Sequence, residues 1–297
     1  MDVDTRLLRY FRAVAEEGNL TRAAARLYIS QPALTKQIRQ LEDQLGASLF
    51  ERSRSGMALT GPGHALARAV PAVLDAWDRA ERAVRAAEAE ASKVLRIGFL
   101  ASAANEKTQD VIAGFRTRRP DWRVEMRQAS WGAPAAALVS GEVEAAFMRL
   151  PFPGQEDCRL LPLLTEPRCV AMAANHPLAH HGTLCIDDLL DEPFIAAPGA
   201  TGAFRDHWIA AEARGGRPVR IGAVTEHPDD WLSAIANGDG IALAPDSAAR
   251  YYARPDIVYR EVTGITPSTV ALAWPKAASP TPALADFITA AREATGA

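Results

Sequence analysis

The sequence predicts a mixed fold: an all-α N-terminal domain with a short β wing, one long linker helix, and a C-terminal α/β domain of two lobes. Three observations predict it. Up to about residue 58 the chain is dense in short amphipathic helical segments. From about 60 to 91 an Ala-, Arg- and Glu-rich stretch keeps one long helical period. After Ser92, short apolar runs (LRIGF, AAFMR, CVAMA, FIAA, IALAP, TVALAW) alternate with helical stretches and Gly/Pro punctuation. That alternation is the pattern of an α/β domain with mostly parallel strands. The expected domains are 1–59, 60–91 and 92–297, with lobe I at about 92–163 and 268–297 and lobe II at about 164–267.

A chain of 297 residues, 48% hydrophobic and 23% charged, can bury more than one core and is not disordered. Its formal net charge of -3 argues by itself against a nucleic-acid partner, but the charge is unevenly spread. Between Thr21 and Gln40 stand Arg22, Arg26, Lys36 and Arg39 with no acid among them, whereas Asp187, Asp188, Asp191 and Glu192 cluster far downstream. A basic stripe on a mildly acidic protein fits a modular DNA binder. Cys158, Cys169 and Cys185 form no CxxC, so neither a disulfide framework nor a metal site is expected. The start, MDVDTRLLRYF, has two acids and no apolar run of signal-peptide length, and no stretch approaches the ~20 apolar residues of a membrane span. A cytoplasmic protein with no membrane partner is therefore expected.

Leu7, Phe11 and Val14 fall on one face of a first helix that Gly18 stops. Asn19 and Thr21 follow as cap candidates, and Thr21 is expected to open a second helix, TRAAARLYIS. Its small residues Ala23 and Ala24 let a neighbouring helix approach closely across a short turn. Ser30 caps a third helix that starts at Gln31 with Pro32 in its first turn, where a missing N–H costs nothing. Leu34, Ile38, Leu41 and Leu45 form its buried stripe and Gly46 ends it. The opposite face carries Gln31, Thr35, Lys36 and Arg39, groups suited to base edges and phosphates in a major groove. Arg52 and Arg54 then flank Ser55-Gly56 in a β-turn wing that can reach the backbone or minor groove.

In the linker, Leu66, Val70, Val73, Trp77, Ala80, Val84 and Ala87 recur at spacings of four and three, an apolar seam for pairing with another helix. Dimerisation is the preferred use, because a two-fold dimer offers two recognition helices to a dyad-symmetric site. Pro71 either marks a later helix start or bends the helix, since proline removes one internal hydrogen bond. In the C-terminal half, Leu95–Phe99 reads as a buried strand after which Ala101, Ser102 and Ala103 begin a helix. Further strands end before Ser130 and at Arg149, and chain connections cross between lobes near 163–166 and 264–268. Ligands in such sheets sit at the carboxyl ends of strands.

The segment NLTRAAARLYISQPALTKQIRQLEDQLGASLFERSRSGMALTGPG resembles, nearly position for position, the DNA-binding signature of the LysR-type transcriptional regulators. The resemblance implies a winged helix-turn-helix in which Thr21, Arg22, Ser30, Gln31, Pro32, Thr35, Lys36, Arg39, Arg52 and Arg54 meet double-stranded DNA. Thr35 departs from the family's usual serine but keeps the hydroxyl. The C-terminal half resembles the family's effector domain, itself similar to periplasmic solute-binding proteins that hold a ligand between two lobes. Carried over residue by residue, Ser102, Ser130, Trp131, Arg149, Thr201 and Phe204 are the effector-binding positions, with Trp131 in place of a small polar residue. Each has a plainer reading: Trp131 and Phe204 as core, Ser102 as a helix cap, Arg149 as a surface ion pair. A carboxylate held by Arg149 and Ser102 is the specific ligand expectation. The resemblance also implies a dimer that pairs into a tetramer, and leaves RNA polymerase open as a further partner.

No GxSxG, phosphate-binding Gly loop or HExxH appears, so catalytic residues, cofactors and metals are all expected to be none. The histidines of NHPLAHHG sit in a Pro/Gly context that reads as a solvated loop. The competing classes are a secreted solute-binding protein, which the absence of a leader disfavours, and an α/β enzyme, which lacks a catalytic constellation. A regulator that has lost ligand responsiveness is a third alternative.

Overall fold

The computed structural model describes residues 3–27, 29–53, 56–104, 107–277 and 279–296, and for Arg52, Ser53, Ser102 and Ala104 it describes the backbone alone. The chain divides into two compact units, Met1–Val84 and Arg85–Ala297.

The first unit opens with α1 (Thr5–Glu17), where the Asp4 carboxylate accepts from the Arg6 amide and Gly18 ends the helix at φ 58°. Helix α2 spans Leu20–Arg26, one residue earlier than expected at its start and four short of Ser30 at its end. The cap explains the start: Asn19, not Thr21, accepts from two amides, and one of those amides is Thr21's own. Helix α3 (Gln31–Leu45) is capped by Ser30 Oγ accepting from the Ala33 amide and stopped by Gly46 at φ 65°. Phe11, Ala23, Leu34 and Leu41 meet in one core, where small Ala23 and Ala24 let α2 lie close. Strands β1 (Phe50–Ser53) and β2 (Gly56–Leu59) form an antiparallel hairpin, and Phe50 reaches back to Phe11 with ring centroids 5.2 Å apart. The Met57 amide donates to the Gly18 carbonyl at 2.8 Å, which lies so near Gly56 that a Cβ there would strike it. Glycine at 56 is thus needed to seat the wing on the end of α1.

Helix α4 (Gly61–Ser92) runs through Pro71, so the alternative of a later start falls. Proline leaves the carbonyl four residues earlier without its usual helical donor. The seam expected along α4 divides. Val70 is 1% exposed and, with Leu66 and the unforeseen Leu74, packs into the core of its own unit, which removes Val70 from any pairing surface. Helical period alone does not distinguish a stripe that faces a partner from one that faces home.

The second unit holds two sheets. The first contains β3 (Val94–Phe99), β4 (Arg123–Gln128), β5 (Ala145–Leu150), β6 (Cys158–Glu166) and β13 (Ser268–Pro275), in the order β4-β3-β5-β13-β6. Helices α5 (Thr108–Arg118), α6 (Ala136–Val139) and α10 (Pro282–Thr295) belong to the same part of the chain, and Phe115, Phe147 and Phe287 anchor its core. The second contains β7 (Arg168–Ala173), β8 (Thr183–Cys185), β11 (Ala242–Pro245) and β12 (Ile257–Thr263), ordered β11-β7-β12-β8. The parallel pair β9 (Pro193–Ala196) and β10 (Arg220–Val224) joins it through a bridge between Phe194 and Ile241. Helices α7 (Ala203–Trp208), α8 (Pro228–Asn237) and α9 (Ala248–Tyr251) complete this lobe. The chain passes between the sheets at Pro167 and again over 264–267.

Two expectations are corrected. The strands are not mostly parallel: β13 runs antiparallel to both β5 and β6, and β7 antiparallel to both β11 and β12. Both lobes take a returning strand, and an apolar run carries no sign of direction. The helix expected at Ala101 is a single 3-10 turn, Ala101–Ala104, entered with Ala101 at φ 40°, and α5 begins only at Thr108.

Glu144, just before β5, accepts from the Arg96 amide at 3.2 Å. Its burial outweighs Arg96 and, with help from the Glu88 charge, pushes its carboxyl from 4.5 up to about 7. The folded state therefore holds this proton more tightly than the unfolded chain does. The associated stability is fully present below pH 4.5 and is lost as pH rises through about 7. Glu144→Gln keeps an acceptor for Arg96 and removes the charge. Calorimetry should find the variant about 2 kcal/mol more stable than the parent at pH 8 and indistinguishable from it at pH 4. A difference independent of pH would contradict this account.

Candidate functional site

Two sites emerge, one in each unit. On the first, Gln31, Pro32, Lys36 and Arg39 are exposed along α3, with Thr35 half-buried between them. Together with Gln40, Asp43 and Gln44 they line an open groove on the helix surface. Gln31 Nε2 donates to Thr35 Oγ1 at 3.0 Å, and Thr35 Oγ1 donates to the Gln31 carbonyl at 2.9 Å, so these side chains present a fixed polar edge. Ser30 is engaged in capping.

The basic stripe is narrower than the sequence suggests. Arg22 pairs with Glu17 at 3.5 Å, and Arg26 lies 2.7 Å from Glu16 and 3.3 Å from Glu17. The acids come from α1, outside the window in which the stripe was counted. Among the described residues Lys36 and Arg39 form no ion pair, whereas the arginines of α1 and α2 all do, so within these three helices the open positive charge lies on α3. Thr21 is exposed and donates its amide to Asn19. Arg54 lies outside the described residues, and Arg52 sits on β1 opposite Met57. Along α4, Val73 (47% exposed), Trp77 (46%) and Val84 (70%) leave apolar surface in water, with Ala80 exposed between them.

In the second unit, a cavity of about 70 Å³ lies between the two sheets. Trp131, Phe204, Trp208, Trp231 and Tyr252 form its aromatic walls, and Leu100, Ile195 and Leu243 add aliphatic ones. Its polar lining includes Arg149 and Thr225. Trp131 follows β4 and Trp231 lies on α8; their rings stand 6.2 Å apart at 86°. Phe204 and Trp208, one turn apart on α7, meet at 6.3 Å and 67°.

Of the expected effector positions, the structure brings Trp131, Arg149 and Phe204 to this cavity and leaves Ser130 and Thr201 out of its lining. Ser130 Oγ instead donates to Glu226 Oε2 at 3.0 Å, beside the Trp131 amide that donates to the Glu226 carbonyl at 2.9 Å. These bonds tie the rim of one lobe to the other. Thr201 is buried, and its hydroxyl donates to the Pro198 carbonyl at 2.7 Å within a turn. The side chain of Ser102 lies outside the described part of the molecule.

Arg149 is neither the surface ion pair nor the open cation that the sequence allowed. It is 3% exposed; its Nη2 donates to Glu166 Oε1 at 2.8 Å and its Nη1 to Ser268 Oγ at 3.0 Å. Glu166 also accepts from the Ser247 amide at 2.7 Å and from the Ser247 hydroxyl at 3.1 Å. This buried cluster joins β5, both crossings between the sheets, and the end of β11. Sequence reasoning also missed Thr225, Trp208, Trp231 and Tyr252. Thr225 follows β10 directly, so the rule placing ligands at strand ends would have found it had that strand been recognised.

Cys158 and Cys169 are buried, and burial pushes the Cys169 thiol up to about 12, so both stay protonated. Only Cys185 is partly exposed. A thiol-reactive dye should therefore label one cysteine quickly in the native protein and all three after unfolding. Two fast native thiols would overturn the assignment. Among the described residues no His, Cys, Asp and Glu cluster has metal-binding geometry, and no helix is long and apolar enough to cross a membrane.

Comparison with known proteins places these features in a family. Residues 5–64 match the family model "Bacterial regulatory helix-turn-helix protein, lysR family", and residues 88–296 match "LysR substrate binding domain". The Hca operon transcriptional activator HcaR of Escherichia coli (strain K12) is 31% identical over 299 residues, spanning 98% of both chains. The HTH-type transcriptional regulator BenM of Acinetobacter baylyi is 32% identical over 256 residues, covering 82% of this chain and 81% of BenM. The crystal structure of full-length CbnR complexed with its target DNA is similar at a TM-score of 0.54 and 26% identity, covering 99% of this chain and 100% of CbnR.

Proposed function

The chain belongs to the LysR family of bacterial transcriptional regulators, and from that premise we propose how its residues divide the work of reading DNA and sensing an effector. It is a regulator with a helix-turn-helix DNA-binding domain and a small-molecule effector domain, not an enzyme. In our reading α3 enters the major groove, with Gln31, Thr35 and Arg39 toward base edges and Lys36 toward phosphate. Ser30 and Pro32 set the N-terminus of α3 against the backbone, Thr21 and Arg22 approach it from α2, and Arg52 and Arg54 reach it from the wing. The observation that carries this assignment is Lys36 and Arg39, exposed and without an ion pair among the described residues, beside the polar edge that Gln31 and Thr35 form.

The exposed Val73, Trp77, Ala80 and Val84 support self-association through α4, giving a two-fold dimer and, by pairing of dimers, a tetramer. The working divisions are 1–59 for DNA, 60–91 for the linker and 92–297 for the effector. The cavity between the sheets is the proposed effector site, and Trp131, Arg149 and Phe204 line it. A carboxylate ligand would meet Arg149 only in competition with Glu166. A duplex DNA target supports a cytoplasmic site of action.

Footprinting on the DNA directly upstream of the gene and its divergent neighbour tests the DNA assignment. Wild type should protect a dyad-symmetric site, and Gln31→Ala should weaken that protection about tenfold. A variant that protects as well as wild type would remove Gln31 from the recognition surface.

A further inference from the structure

Among the described residues, one that lines the inter-lobe cavity carries a buried hydroxyl that its own protein leaves unsatisfied. Thr225 lines the cavity and is 7% exposed, and its Oγ1 has no hydrogen-bond partner. Buried hydroxyls are almost always bonded, and one left alone costs free energy that an isosteric valine would not. The residue is otherwise firmly placed: its amide donates to the Ala196 carbonyl at 3.0 Å, beside the cavity wall at Ile195–Ala197. Arg149, the other polar group noted in the lining, is already held by Glu166 and Ser268.

The walls specify the rest of the ligand. Trp131 and Trp231 meet almost edge to face, and Phe204 and Trp208 are similarly tilted. Such pairs present a positive ring edge beside a negative ring face, which a further flat ring satisfies by the same geometry. The cavity, about 70 Å³, is smaller than the ~150 Å³ that admits benzene in an engineered apolar cavity, so even a single ring enters only as the lobes spread, and a larger body needs a still wider opening.

We propose that Thr225 is the residue that hydrogen-bonds the effector, and that the effector's body is a single aromatic ring bearing one polar substituent. The proposal rests on reading this cavity as the effector site. Thr225 then supplies discrimination among rings of equal size, because a ring without the substituent leaves the hydroxyl unpaired.

Phenol and toluene, matched in shape and differing in one hydroxyl, test it on the full chain labelled with 5-fluorotryptophan. Both should shift the fluorine resonances of Trp131, Trp208 and Trp231, assigned through single Trp→Phe variants. The ratio of phenol to toluene affinity should fall about tenfold in Thr225→Val, whose shape is unchanged. An unchanged ratio, with the same resonances moving, would remove Thr225 as the reader and leave the effector site standing. Shifts confined to Trp77, Trp122 and Trp274 would overturn the site and the proposal with it. Failure of both compounds to bind would overturn the aromatic class.

Discussion

Glu166→Ala is expected to cost the effector domain about 3–5 kcal/mol of stability, the largest effect of any single substitution considered. The carboxylate is 8% exposed and serves three donors: the Arg149 guanidinium, the Ser247 amide and the Ser247 hydroxyl. Its removal takes the carboxylate partner from a guanidinium in a site that is 3% exposed, where the favourable hydration of the charge is gone. The Ser247 amide loses its acceptor at the same time. Urea unfolding followed by tryptophan fluorescence reads the cost as a lowered midpoint with unchanged slope. The double variant Arg149→Met, Glu166→Leu should recover most of the loss, because an apolar pair of similar size leaves no buried charge. If the single variant stays within 1 kcal/mol of wild type, or the double is worse than the single, the cluster is not the buried ion pair described here.

Arg39→Ala is expected to weaken binding to the footprinted site by tenfold or more, with the fold of the domain intact. Arg39 is exposed on α3 and holds no internal partner among the described residues, so truncation leaves no orphan inside the protein. An arginine on a guanine edge is worth about 1–3 kcal/mol of discrimination, whereas one on a phosphate weakens all sequences alike and lowers the salt slope by about 1. Anisotropy titrations at two salt concentrations, on the native site and on scrambled DNA, separate these roles. A specific contact lowers affinity for the native site alone. A loss under twofold on both DNAs would mean that the free charge on α3 is not the DNA face. Arg22→Ala should do less, since its guanidinium is already shared with Glu17.

What the sequence made legible was local. Ser30 and Gly46 delimit α3 because capping and left-handed termination involve neighbours a few residues away. Of the two cap candidates, Asn19 serves and Thr21 does not, by the same short-range logic, since the Asn19 side chain accepts from two amides. Properties that depend on distant partners were not legible. Arg149 acquires its meaning from Glu166 and from Ser268, 119 residues further on. Arg22 and Arg26 look like free cations until the fold lays α1's acids beside them. Trp131 and Phe204 could be read from family resemblance as facing a ligand, while Thr225 is marked only by its place after β10, a short strand that the sequence pattern did not reveal.

The two kinds of tie between the lobes have unequal strengths, and this inequality assigns them different duties. At the crossings the Arg149–Glu166–Ser247 cluster is shielded from water, so it acts as the hinge pin of a door. At the rim, Ser130 and the Trp131 amide hold Glu226 in an exposed position, where water replaces each bond at little net cost, so they act as the catch. Opening therefore proceeds from the rim inward with the pin intact. A ligand taken into this cavity would meet the catch first, and the pin would limit how far the door swings.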